Sequence, residues 1–285
     1  MNNESQILQL KKALYIDKVY HGLSLLQSRS YKEPLDLCLS ELRIFSQNGE
    51  DGILYDLFKL INPSNPTFIE FGVGDGWSCN TRLLAQVFGW NGHYFECDPS
   101  DFASLSRMYM HSSNITCTKK LLTPDNVIES FSSLNIPKKP TLLSVDIDGQ
   151  DFWVTKSILD SYSPEILLLE LNSMFPPGQI ICESLSSLEN PQPTSLTHAW
   201  GVSAAAWQGF LEGKGYTLLH YELAGVNVFY LRNDIYDQVQ SSLINMRTIQ
   251  PSPNYGLSGQ YHSPELLYNN TQMPLEARAL NHDPF

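Results

Sequence analysis

The spacing of apolar residues changes once along the chain. Over residues 5–28, Ile7, Leu10, Leu14, Val19, Leu23 and Leu26 recur at roughly helical spacing, which predicts an amphipathic N-terminal helix. A second helix is predicted over 50–61 (EDGILYDLFKLI), after the polar, glycine-punctuated run 45–52 and before the breakers Pro63 and Pro66. From residue 67 short β-type runs take over: TFIEFG (67–72), HYFECD (93–98), ITCTKKL (115–121), TLLSVDI (141–147) and EILLLEL (165–171). Helical segments at 79–89, 100–110, 124–134 and 150–161 fall between most of them. Such alternation predicts a parallel sheet with helices on both faces. EILLLEL is apolar almost throughout, as a strand covered on both faces must be.

The end of the series breaks the alternation. After a helix predicted at 203–213, YTLLHYEL (216–223) and VNVFYLR (226–232) are separated only by Ala224 and Gly225. A parallel crossover needs a dozen residues or more, so these two strands form an antiparallel hairpin. The expected fold is therefore α/β: a Rossmann-like, doubly wound, seven-stranded, mostly parallel sheet with a reversed last strand, plus an N-terminal helical extension. Expected boundaries are 1–62 for the extension, 63–234 for the sheet domain, and 235–285 for a C-terminal helix (235–246) with a Pro/Asn-rich tail.

Composition narrows the classes. Hydrophobic residues make up 42% of the 285, enough for a core, which excludes a disordered chain. No run of 18 apolar residues is present, so no membrane-spanning helix is expected, and the polar start MNNESQILQLKK does not read as a secretory signal. The net charge of −12 disfavours nucleic acid as a partner. Five cysteines without a C-x-x-C pair fit a reduced, cytoplasmic protein with neither a disulfide frame nor a zinc site.

Candidate chemistry begins at Glu70-Phe71-Gly72-Val73-Gly74-Asp75-Gly76, directly after the first sheet strand. Alternating glycines let the backbone turn sharply and approach a ligand without a Cβ in the way. The turn falls at a carboxyl strand end, where open α/β sheets bind ligands. Glu96, at the end of the next strand, can accept the hydroxyl protons of a ribose, with Asp98 as the near alternative. Together these fit a nucleoside-type ligand. Dinucleotide sites read G-x-G-x-x-G, whereas here G-x-G-x-G is followed by Trp77.

At these residues the chain resembles class I S-adenosylmethionine (SAM)-dependent methyltransferases, within them most the FkbM-like group. FIEFGVGDG, YFECDPS, SVDIDGQDFW and KGYTLLHYELAGVNVFYLR carry the resemblance, over about 67–232. It implies SAM as cofactor, with Glu70 and Gly72, Gly74 and Gly76 around the methionine part and Glu96 at the ribose. The segment Ser46–Gly52 also looks like one that precedes the glycine motif in relatives, where it caps cofactor or substrate.

Asp146 and Asp148, two apart, end the fourth strand, and Glu170 and Asn172 end the fifth with the same spacing. Three readings stand open for this oxygen-rich cluster. Asp148, Glu170 and Asn172 can ligate Mg²⁺. Acids such as Asp148 and Glu170 can act as general base and hydrogen-bond acceptors. Or the acids cap helices and, as with Asp146, bind the cofactor's amino group. His198, in the long segment 172–202, is a third candidate base. Trp77 adjoins the glycine turn as a possible stacking or lid residue, and Asn227 either faces substrate or marks hairpin register. The expected activity is O-methylation of a small hydroxylated metabolite or sugar. A nucleotide-dependent oxidoreductase and a non-catalytic methyltransferase-like interaction protein are the alternatives, and a homo-oligomer stays open.

Overall fold

The computed structural model describes residues 3–29, 34–64, 66–147, 149–182 and 201–252. Helix α1 (Asn3–Ser28) comes first, then strand β1 (Leu35–Asp36), the one-turn helix α2 (Leu37–Ser40) and α3 (Glu50–Ile61). Strands and helices then alternate: β2 (Thr67–Phe71), α4 (Arg82–Gln86), β3 (Asn91–Glu96), α5 (Pro99–Tyr109), β4 (Ile115–Lys119), α6 (Val127–Ser133), β5 (Leu142–Val145), α7 (Asp151–Leu159), β6 (Ile166–Glu170) and α8 (Ala204–Glu212). The hairpin β7 (Tyr216–Tyr221) and β8 (Asn227–Arg232) follows, and α9 (Asn233–Val239) and β9 (Leu243–Ile244) come last.

Seven strands form one sheet in the order β4-β3-β2-β5-β6-β8-β7, and β8 runs antiparallel to both of its neighbours. This is the Rossmann-like α/β sheet with a reversed last strand that the alternation and the two-residue hairpin loop predict. Side chains alternate across it, so each strand feeds two cores. On one face Phe68, Tyr94, Leu142, Leu168 and Phe229 pack with Ile53, Leu54, Leu57 and Phe58 of α3. On the other, Ile69, Phe71, Leu143, Leu167 and Val228 pack with Phe131 of α6, Val154 and Ile158 of α7, and Trp207 of α8.

Register sets the functional row. Phe71 pairs with Phe95 and with Val145, Val145 pairs with Leu169, and Glu170 pairs with Asn227. One residue further on, at the carboxyl ends of the parallel strands and the amino end of β8, Glu96, Gly72, Asp146, Glu170, Asn227 and Glu222 stand side by side, one per strand. All lie on the α3 face, because directly opposed residues share a face.

Several expectations are corrected. The predicted helix 235–246 stops at Val239, and Leu243–Ile244 instead pairs in parallel with Leu35–Asp36, a two-stranded sheet with no periodic signal. The predicted helix 79–89 shrinks to α4, since Asn80 and Thr81 are spent wrapping Glu70. The apolar stripe of α1 is buried only near its end. Leu23 and Leu26 pack on Ile44, Phe45 and Leu83, whereas Ile7, Leu10 and Leu14 are exposed. Five free thiols are present and no described helix is long and apolar enough to cross a membrane. The tail beyond residue 252 lies outside the described residues.

Candidate functional site

A cleft of about 500 Å³ opens at the carboxyl ends of β3, β2, β5 and β6, a size typical of small-molecule sites. Its floor is the glycine turn. Gly72 has φ +66° and lies so close to β5 that a Cβ would stand 1.4 Å from the Asp146 carbonyl oxygen. Gly74 has φ +58°, and a Cβ there would meet nothing within 4 Å. One glycine therefore keeps two strands in contact, and the next keeps a wall of the cleft bare.

Glu96 faces this turn. Its Oε2 accepts from the Gly74 backbone N–H at 2.8 Å, and its Oε1 accepts from Cys97 and Asp98 N–H at 2.7 and 2.8 Å. The carboxylate is thus pinned beside Gly74, with Oε1 fully engaged and one lone pair left on Oε2. Asp98 is occupied elsewhere: it caps α5 by accepting from Ser100 and Asp101 N–H.

Glu70 lines the cleft but spends its oxygens inside the fold. It accepts from Asn80 N–H at 2.7 Å, Thr81 N–H at 3.0 Å and Thr81 Oγ1 at 2.5 Å. Burial pushes its carboxyl up to about 7, against the pull of these donors. Its work in this structure is to fold residues 78–81 back under the glycine turn. Gly76, expected at the cofactor, is not part of the lining. With φ +85° it turns the chain over α5, where a Cβ would press on Leu105.

The run Ser46–Gly52 is built around two buried carboxylates. Asp51 accepts from Ile44, Phe45 and Ser46 N–H at 2.9, 2.7 and 2.7 Å, and burial raises it to about 6. Glu50 accepts from Asn48 and Gly49 N–H at 2.9 Å each, and from Asn227 Nδ2 at 2.6 Å. Acids in the first turn of α3 thereby shape the loop ahead of it, which brings Gln47 and Asn48 into the cleft. The hairpin is tethered as well. Glu222 accepts from Ala224, Val226 and Asn227 N–H, while burial and the charge of Glu50 raise it to about 8. His220 Nδ1 accepts from Arg247 N–H, so its Nε2 carries the proton toward Glu41 at 3.1 Å.

The predicted acids separate. Asp146 and Glu170 line the cleft. Asn172 does not: its Oδ1 accepts from Met174 N–H at 3.0 Å, which removes it from the expected ligand set. Asp148 and His198 lie outside the described residues. Among the described residues no three His, Cys, Asp or Glu side chains gather as a metal cluster. Trp77 is no lid. Its ring packs edge-on to Tyr15 of α1 and under the Arg82 guanidinium, joining the N-terminal helix to the back of the turn. Sequence reasoning reached Asn48 within the run Ser46–Gly52 but missed Asp101 and Lys120 in the lining.

No known sequence family and no curated protein matches the chain. Solved structures similar to it include the CurJ carbon methyltransferase (10% identity, 69% of this chain and 57% of that one, TM-score 0.42). Others are the citrinin polyketide synthase CMeT domain (12%, 65% and 52%, 0.42) and a putative caffeoyl-CoA O-methyltransferase from Staphylococcus aureus (11%, 62% and 79%, 0.42). The chain spans little more than half the length of the first two. Likeness at this level transfers neither activity nor substrate.

Proposed function

We propose that the chain is a SAM-dependent methyltransferase acting on a small hydroxylated acceptor. The observation that carries this reading is the 2.8 Å bond from Gly74 N–H to Glu96, which joins a bare glycine turn to an acid one strand away. The residues fit the cofactor. Glu96 offers the remaining lone pair of its Oε2 to a ribose hydroxyl, and Gly74 leaves open space where a side chain would stand. Phe95, Leu121 and Leu122 give an apolar wall beside Glu96 for a base.

The cofactor supplies an activated methyl group on a sulfonium, so the protein's task is mainly alignment, which is worth ~7–11 kcal/mol when geometry is good. Strand spacing of ~4.8 Å puts Glu170 about 14 Å along the row from Glu96. That separation leaves the adenosine end over β3 and β2 and the acceptor end over β5, β6 and β8. Glu170 is the described base for a hydroxyl acceptor, a role worth roughly 10²–10⁴-fold. Mg²⁺ has no part in this reading.

Isothermal titration with S-adenosylhomocysteine tests it. Glu96→Ala removes charged acceptors and should weaken binding ~10–100-fold, and Gly74→Val should do at least as much by filling the cleft. Wild-type affinity in both variants would end the proposal.

A further inference from the structure

At the acceptor end of the cleft lies an oxygen that the fold itself leaves unexplained. Asn227 opens β8 and is 3% exposed. Its Nδ2 donates to Glu50 Oε1 at 2.6 Å. The bond to this acceptor fixes which way the amide is turned, nitrogen toward Glu50 and oxygen away. That oxygen, Oδ1, is buried and has no hydrogen-bond partner, and the residue lines the cleft. Asn48, on the loop whose backbone Glu50 holds, lines the same cleft, and its Oδ1 is likewise buried and without a partner. Buried polar atoms are nearly always paired, so two orphan oxygens on residues that line one cleft call for an explanation.

We infer that Asn227 and Asn48 form a subsite that reads a hydrogen-bond donor on the bound acceptor, an O–H or N–H group, and refuses an anionic group at the same place. This rests on the methyltransferase reading only in naming the ligand as the methyl acceptor. Charge points the same way. Asp146 and Glu170 line this end. Lys120, the one cationic residue in the described lining, sits at the other end, where its N–H bonds the Glu96 carbonyl at 3.0 Å. Arg43 balances Glu50 and Asp51 from outside the lining. A carboxylate or phosphate at Asn227 meets lone pairs and like charge, whereas a hydroxyl or an ammonium supplies what both oxygens lack. Glu50 is then a positioning residue, acting on the ligand only through the orientation of Asn227.

The test uses the full chain, isotope-labelled, with S-adenosylhomocysteine present and absent. Three two-carbon probes are titrated: ethylene glycol, ethanolamine and glycolate. The side-chain carboxamide signals of Asn227 and Asn48 are followed by NMR. Ethylene glycol or ethanolamine should move both signals saturably while glycolate leaves them in place, and whichever saturates first distinguishes a hydroxyl from an amine. Asn227→Leu keeps the volume without the acceptor and should weaken the responding probe ~2–10-fold at Asn48. Glu50→Gln, which can present either end of an amide, should let Asn227 turn over and abolish the discrimination against glycolate. The subsite is overturned if glycolate moves the signals as strongly as the other probes, or if none of the three moves them. Lost binding of S-adenosylhomocysteine with the probe response intact instead sinks the methyltransferase reading and leaves the subsite standing.

Discussion

Gly72→Ala is expected to abolish ligand binding by breaking the fold beneath the site, with a loss of roughly 2–5 kcal/mol of stability. The cause is backbone against backbone. The added methyl would lie 1.4 Å from the Asp146 carbonyl oxygen and 2.6 Å from its carbon, so no rotamer change relieves it. The positive φ of +66° adds ~1–2 kcal/mol of strain for any L side chain. Overpacking of a rigid core contributes a further ~1–3 kcal/mol. β2 and β5 are central strands, and separating them disturbs both cores at once. Gly74→Ala is the control. Its φ is also positive, yet its methyl meets nothing within 4 Å, so it should fold with a modest penalty and lose affinity instead. Thermal melts and titration with S-adenosylhomocysteine on the two variants separate the roles. A Gly72→Ala protein that melts with the wild type would show that the turn is not clamped between the strands as described.

What was legible in the sequence is what short-range spacing records. Short apolar β-type runs marked all seven sheet strands, and a two-residue hairpin loop marked the reversal of β8. Gly72, Gly74 and Glu96 were legible because a turn at a carboxyl strand end needs no distant partner to be recognised. Asn227 was different. Its meaning depends on Glu50, 177 positions away, and no local pattern distinguishes a register asparagine from one turned by a buried acid. Nothing local marks Glu222 and Asp51 as buried, since burial is a tertiary property. Asn172 shared its spacing with Glu170 but sits past the end of β6, where the chain turns and strand alternation no longer governs direction. The stripe on α1 shows the converse limit. Helical spacing predicts the helix, but whether anything covers each apolar residue is set by the rest of the fold.

Those buried acids make stability fall as pH rises through neutrality, the opposite of a protein held by surface salt bridges. Burial raises Asp51 to about 6, Glu70 to about 7 and Glu222 to about 8, against ordinary values of 3.8, 4.5 and 4.5. A group whose folded value is raised holds its proton in the native state after the unfolded chain has released it. Its contribution is complete below the unfolded value and is lost as pH climbs to the folded one. Each such group tilts stability downward by about 1.4 kcal/mol per pH unit within its window. Near pH 5.5 all three act, near 6.5 Glu70 and Glu222, and near 7.5 Glu222 alone. Glu41 works in the other direction. Burial opposes its charge, but His220, Arg247 and the Leu223 N–H outweigh burial and lower it, so acidification through its folded value removes stability. Maximum stability should therefore lie below pH 5, with unfolding at neutral pH releasing protons to the buffer. Denaturant titrations at half-unit steps from about pH 5 to 8.5 should show a monotonic decline, steepest at the acid end of the range where all three groups act. Glu222→Gln, which cannot titrate, should flatten the upper third of that curve and leave the lower part sloping. Stability that stays level or climbs across this range would mean that the three carboxylates are ionised in the folded state, held by their backbone donors despite burial.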